Sequence, residues 1–350
     1  MRKVGEFAKA SVAACCLATA LCAQQSNQPG AADTSKSSTA SKPTDKSKAA
    51  TPANGQPNPQ AVPGSQTGPQ SGISSTIRVP VDLVNVPFTV LDKKNRMVID
   101  LTQKDFRLLE DRQPQKITFF SRESNLPLRI GILIDTSNSI RERLHFEQEA
   151  AIDFLSETLR PEKDQAFAVA FDVEPQLLQD YTDDVDKLAT AIHGLQSGGG
   201  TGLFDAIYFA AKEKMTLPPT EPYQRRVMIV VSDGLDNESQ HTRDEALSMA
   251  QRAEVAVFGI STNRSGTSTR GDRVLKYLAE QTGGRAFFPF EASDLAESFK
   301  DISRELRSQY SLAYTSTNPA HDGSFRTITL ETLEKGYRVR AKNGYFRATQ

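Results

Sequence analysis

The run Ile130-Gly131-Ile132-Leu133-Ile134-Asp135-Thr136-Ser137-Asn138-Ser139 joins two unlike pieces of chain. Its first five residues carry no polar side chain. An unbroken apolar run of this length suits a strand buried on both faces, as in a mostly parallel sheet, because a half-wet strand would alternate. Its last five residues offer a carboxylate and three hydroxyls just before an amphipathic stretch, in which Ile140, Leu144, Ala151 and Leu155 share one helical face. Three more apolar runs follow, at Ala166 to Phe171, Val227 to Val231 and Val255 to Ile260, with helical stretches near 202–214, 242–253, 272–281 and 294–306. Strand and helix in alternation over residues 127–307 predict a doubly wound α/β fold around a mostly parallel sheet. Ligands of such folds bind beyond the C-terminal ends of the strands.

The flanks read differently. In residues 76–126, Ile77, Val79, Val81 and Leu83 alternate with other residues, and the alternation then resumes out of step at Val84, Val86, Phe88 and Val90. A bulge or break near Leu83 would explain the slip, and Pro80 and Pro87 suggest edge positions. Leu101 to Leu109, a polar turn at Asp111 to Gln115, and Ile117, Phe119 and Phe120 continue a series of short β elements. Residues 308–350 resemble them: Tyr310, Leu312 and Tyr314 alternate, followed by Thr327 to Leu330, Tyr337 to Arg340, and Tyr345 with Phe346. Each flank alone offers little core, so the two are expected to pack together as one β-sandwich-like module.

Residues 1–23 have the pattern of a secretion signal, with Arg2, Lys3 and Lys9 ahead of a short apolar run from Ala10 to Ala23. The alternatives are a short membrane anchor or, through Val12-Ala13-Ala14-Cys15, a lipoprotein signal. Export to the periplasm, the cell surface or the medium is the expectation. Cys15, Cys16 and Cys22 are the chain's 3 cysteines. Cleavage after Ala23 would therefore leave no thiol for disulfides, zinc or catalysis. Residues 24–75 are rich in Gln, Ser, Thr, Pro, Ala and Gly and read as a disordered linker. A net charge of -1 over 350 residues, with no basic tract, argues against nucleic acid as a partner. No internal stretch reaches the roughly 18 apolar residues of a membrane span.

The chemistry gathers at three loops. Asp135, Ser137 and Ser139 stand on alternate positions after the first buried strand, and Val230-Val231-Ser232-Asp233-Gly234 ends another. In a parallel sheet both ends open on one edge, so Asp135 and Asp233 would lie close and repel unless a cation sits between them. Ser197-Gly198-Gly199-Gly200-Thr201-Gly202 brings a further hydroxyl to a helix start. Each loop also has a plainer reading: a helix-capping run, an ordinary Ser-Asp-Gly turn, and a flexible loop with a capping Thr. Hard oxygen donors suit Mg²⁺, with Mn²⁺ and Ca²⁺ as alternatives.

Together these loops resemble the metal-ion-dependent adhesion site of von Willebrand factor A domains: Asp-x-Ser-x-Ser after the first strand, a Thr on a later loop, and an Asp after the fourth strand. The resemblance covers about residues 127–307 and assigns the metal to Asp135, Ser137, Ser139, Thr201 and Asp233. The β flanks and the leader also resemble the acidobacterial group of A-domain-related proteins. The likeness implies a non-enzymatic binding protein whose metal is completed by an Asp or Glu of a protein partner, in adhesion or envelope assembly. Two alternatives stand beside it. One is a phosphatase-like hydrolase with Asp135 as nucleophile, although Ser137 stands where such enzymes usually place a second Asp. The other is a scaffold without a functional metal. Asp205 reads as support for the site or a surface acid, Asp236 and Asn237 as turn residues, and Asp164 as a turn residue. His145, His193, His241 and His321 lack ligand-like spacing, and the Lys and Arg residues read as solvated surface.

Overall fold

A computed structural model describes residues 83–122, 125–216 and 224–349, without the side chains of Ser139 and Ala292. The expected signal, linker and first alternating residues, Ile77 to Val81, lie outside the described residues. In chain order the strands are β1 (Leu83–Leu91), β2 (Phe106–Glu110), β3 (Gln113–Gln115), β4 (Ile117–Ser121), β5 (Leu128–Asp135), β6 (Gln165–Phe171), β7 (Pro175–Thr182), β8 (Arg225–Ser232), β9 (Val255–Ser261), β10 (Ala286–Phe287), β11 (Tyr310–Thr315), β12 (Phe325–Thr332), β13 (Arg338–Ala341) and β14 (Gly344–Phe346). The α-helices are α1 (Leu144–Thr158), α2 (Val185–His193), α3 (Leu203–Phe209), α4 (Arg243–Arg252), α5 (Arg270–Thr282) and α6 (Ala292–Ser308).

Six strands form the central sheet in the order β10-β9-β8-β5-β6-β7, parallel except for β7. Every residue of β5 is buried, as its unbroken apolar run requires. Ile130, Ile132 and Ile134 face α1, α2 and α6, while Leu133 joins Val169, Met228 and Val230 on the face covered by α3, α4 and α5. The chain leaves β5 for β6 and β7 on one side, then crosses to β8, β9 and β10 on the other. The strand order therefore reverses between β5 and β8, and their C-terminal ends bound a crevice.

Two antiparallel four-stranded sheets, β13-β1-β11-β4 and β14-β12-β2-β3, make up the flanking module. Their shared core holds Val84, Val86, Phe88, Phe106, Leu108, Tyr310, Leu312, Tyr314 and Ile328. N-terminal strands pair with C-terminal ones: β1 with β11 and β13, and β2 with β12. Pro87, expected at an edge, lies in a strand with neighbours on both sides. Its position is tolerated because β1 pairs with β13 only from Phe88 onward, leaving one side of the strand unpaired at Pro87. The expectation that Lys and Arg residues are solvated fails for Arg129, Arg143, Arg225, Arg326 and Arg347, which are buried. Asp164 is more than a turn residue: fully buried, it accepts from Leu128 N (2.8 Å), Arg160 and Arg307.

Candidate functional site at the C-terminal sheet edge

Asp135 is the last residue of β5 and is fully buried. Its Oδ1 accepts the Ser137 amide at 2.9 Å, and its Oδ2 accepts the Ser232 hydroxyl at 2.6 Å. Ser232 Oγ in turn accepts the Gly234 amide at 3.0 Å. One hydroxyl thus ties the carboxylate ending β5 to the loop carrying Asp233 after β8. Asp233 is half-buried, and its Oδ1 accepts the Leu235 amide at 2.9 Å. Burial pushes the Asp135 carboxyl up to about 6 against the pull of its bonds to Ser137 and Ser232, and repulsion from Asp233 adds to the rise.

Thr201 is buried beside this loop. Its amide donates to Asn237 Oδ1 at 2.8 Å, and its carbonyl accepts the amides of Asn237 and Glu238 at 3.0 and 3.2 Å. The glycine loop is anchored to the first site loop as well, through Gly198 N to Thr136 O at 2.7 Å. Gly199 sits at φ +72, where a Cβ would lie 2.8 Å from Asp172 Oδ2, so a side chain there would be strained and would displace Asp172. Ser137 is buried at the head of a 3-10 turn, Asn138–Ile140, that contains Ser139. That turn interrupts the helix expected to run on from Ile140, and α1 starts only at Leu144.

The plainer readings of these loops meet the geometry unevenly. Ser137 makes no side-chain cap bond to its turn, and α1 is preceded by Arg143, so the run 135–139 does not cap that helix. The N-cap of α3 is Gly202 rather than Thr201. The Asp233 loop does form a hydrogen-bonded turn, through the bond to Leu235. Asp135, Ser137, Thr201 and Asp233 are brought to one sheet edge, and Ser139 is placed there by its backbone. Among the described residues no three His, Cys, Asp or Glu side chains form a metal-holding group. The oxygens gathered at this edge are two carboxylates and hydroxyls, a chemistry that suits a small hard cation.

Several residues around the site carry more than their sequence context suggested. Asp205 accepts the amides of Gln240 and His241, both at 2.8 Å, and His241 Nδ1 lies 2.6 Å from it. Burial opposes ionisation of Asp205, but these bonds hold its carboxyl below the usual range. Asp236 accepts the Phe204 amide at 3.0 Å and the Ser239 hydroxyl at 2.6 Å. These two acids and Asn237 clamp the loop after β8 onto the start of α3. Ser232 and Glu147 were missed by sequence reading. Glu147 is buried on α1, and its carboxyl is pushed up to about 8 by burial, opposed by Arg143 and reinforced by Asp135 and Asp233. Its signal was an acid one helical turn before Ala151 on the apolar face.

A cavity of about 480 Å³ opens beside Asp233. Arg141, Arg143, Arg264, Leu235, Thr262 and Asn263 are among its lining residues.

Comparison with known proteins gives a family match for residues 130–235, to the von Willebrand factor type A domain. No curated protein matches the chain. Among solved structures, the PilB minor pilin from Streptococcus sanguinis is similar at 11% identity, over 52% of this chain and 61% of that one, with a TM-score of 0.42. The chain thus spans less than two thirds of that pilin. The vWF domain of the type V pili tip protein Mfa5 from Porphyromonas gingivalis matches at 16% identity over 51% and 94%, with a TM-score of 0.42. Proximal thread matrix protein 1 from the mussel byssus, with a zinc-occupied MIDAS motif, matches at 16% identity over 56% and 49%, with a TM-score of 0.43.

Proposed function

We propose that this chain, which contains a von Willebrand factor type A domain, is an exported binding protein that engages an acidic residue of a protein partner through a divalent cation. Adhesion or assembly of an envelope complex is the setting that fits such a module. The cation, Mg²⁺ in the first instance, would be held by Asp135, Ser137, Ser139, Thr201 and Asp233. The observation that carries the reading is that the fully buried carboxylate of Asp135 is tied through the Ser232 hydroxyl to the loop that carries Asp233, while Asn237 of the same loop holds Thr201 beside it. A buried carboxylate with a second acid on the adjoining loop is stabilised when positive charge enters.

A dication held by these five oxygen-bearing side chains would have room for an outside carboxylate, since such ions take six or more oxygens. The chain's own residues do the rest. Ser232 fixes the position of Asp135 relative to the Asp233 loop, and Asn237 with Asp236 holds Thr201 against that loop. The cavity beside Asp233 supports an acidic partner, because the exposed Arg141 and Arg264 and the buried Arg143 among its lining residues outnumber the acids Glu142 and Asp233.

The test is a pull-down from envelope extract using the chain as bait, with Mg²⁺ or with EDTA, and with the Asp135→Ala variant as control. The reading expects a defined partner retained in Mg²⁺ and lost in both other conditions. Retention that ignores EDTA would overturn it.

A further inference from the structure

Glu147 lies in the first turn of α1 and is 1% exposed, yet neither of its carboxylate oxygens has a hydrogen-bond partner. Buried carboxylates nearly always accept bonds, so one without a protein donor is held uncharged by its proton or offset by nearby positive charge. The helix begins beside the C-terminal edge of the sheet, because it follows β5 after one short turn. Glu147 shares its face with Arg143, Ala151 and Phe154, which directs the side chain onto the sheet rather than to solvent. Its position is therefore below the rim where Asp135 and Asp233 stand.

The charges that act on it are Arg143 from its own helix, Asp135 from β5 and Asp233 from the loop after β8. Arg143 also donates to the Thr262 carbonyl after β9, and it feels Arg264. The other elements packed on α1 meet it elsewhere. From α2, the Ile192 carbonyl accepts Gln148 and His193 faces Glu149. From α6, Phe299 meets Phe154 and Arg307 bonds the Thr158 carbonyl.

We infer that Glu147 is a third acid of the cation site, acting through its charge rather than as a direct ligand, so that ion uptake and its ionisation are one linked event. This rests on the cation reading proposed above. A direct ligand role is disfavoured because no three acidic side chains converge as a metal-holding group among the described residues. Without the ion, an ionised Glu147 would face two acids and one guanidinium with no donor to accept from, so its carboxyl keeps its proton. The incoming dication supplies the missing positive charge. The O–H bond of Glu147 then breaks, the carboxylate keeps the electron pair, and the proton leaves to buffer.

Calorimetric titration of the full chain with Mg²⁺ at about pH 7.5, in buffers of different ionisation enthalpy, counts the protons released per ion. The wild type is expected to release most of one proton. Glu147→Gln, the same shape as the protonated acid, is expected to release almost none and to bind the ion roughly tenfold more weakly. Thermal unfolding without metal would show that this variant folds at least as well as the wild type. Equal proton release and equal affinity in the two proteins would overturn the inference and leave the cation site intact. Absence of Mg²⁺ uptake by the wild type, or uptake indifferent to Asp135→Ala, would overturn the cation reading and this inference with it.

Discussion

Asp135 carries opposite demands, since it must be buried to be positioned and ionised to bind. Its two hydrogen bonds come from the Ser137 amide and the Ser232 hydroxyl, and an asparagine of the same shape keeps an acceptor for only one of them, its NH2 having to donate to a reversed Ser232 hydroxyl. Asp135→Asn should therefore cost the metal-free protein about 1 kcal/mol in thermal unfolding, and weaken Mg²⁺ binding by roughly a hundredfold or more in calorimetry. Glu147 and Asp135 together set the pH response. Their folded values of about 8 and about 6 lie above the ordinary 4.5 and 3.8, so between those limits the native state holds protons that the unfolded chain has released. Metal-free stability should fall as pH rises through that window and level off above about 8, and Glu147→Gln should flatten the slope above about 6, where Asp135 has already ionised. Urea titrations across the window measure both. Asp135, Thr201 and Asp233 were legible in the sequence because each follows a recognisable strand or glycine loop. Glu147 was not, because an acid on an apolar helical face carries no ligand spacing, and its meaning appears only when α1 is laid on the sheet.

Loops rather than helices fix the mutual placement of the two aspartates. Gly234, at φ +75, crosses the start of α5 so closely that a Cβ there would lie 2.3 Å from the Gly271 carbonyl oxygen. Gly234→Ala should cost about 1–3 kcal/mol in urea unfolding and should also weaken Mg²⁺ binding, because the clash moves the loop that carries Asp233. Asn237→Ala removes the acceptor for the Thr201 amide. It should cost about 1 kcal/mol and weaken ion binding more modestly. Long apolar runs made β5, β6, β8 and β9 readable from the sequence. The strand β7 and helix α2 escaped notice: β7 is an antiparallel edge strand with no fully buried residue, and α2 buries only Leu188 and Ile192. β7 shows no apolar alternation, while α2 has Val185, Leu188 and Ile192 at helical spacing but is only 9 residues long.

The β module and the α/β domain meet through buried polar groups. Glu305 of α6 accepts Thr89 Oγ1 of β1 at 3.2 Å and Gln309 at 3.1 Å, and also pairs with Arg340 of β13. Within the module, Arg326 and Glu110 form a pair at 1% and 2% side-chain exposure, and Glu110 also accepts the hydroxyls of Tyr314 and Tyr345 at 2.6 and 3.0 Å. Truncating one partner strands a buried charge, so Glu110→Ala should cost about 3–5 kcal/mol in denaturant unfolding. The double variant with Arg326→Met should lose less than the two single losses combined. That the N- and C-terminal flanks form one module could be anticipated from the small core each offers. The strand pairing could not, since partners such as Leu83 and Thr315 stand far apart in the chain and composition sets no register. Because the site depends on three loops meeting at one edge of this assembly, its most direct trial is anomalous diffraction from crystals of the chain grown in Mn²⁺. The expected result is a single strong peak between Asp135 and Asp233, within reach of Ser137, Ser139 and Thr201. No peak there at saturating Mn²⁺, or a peak at which these five side chains take no part, would contradict the assignment.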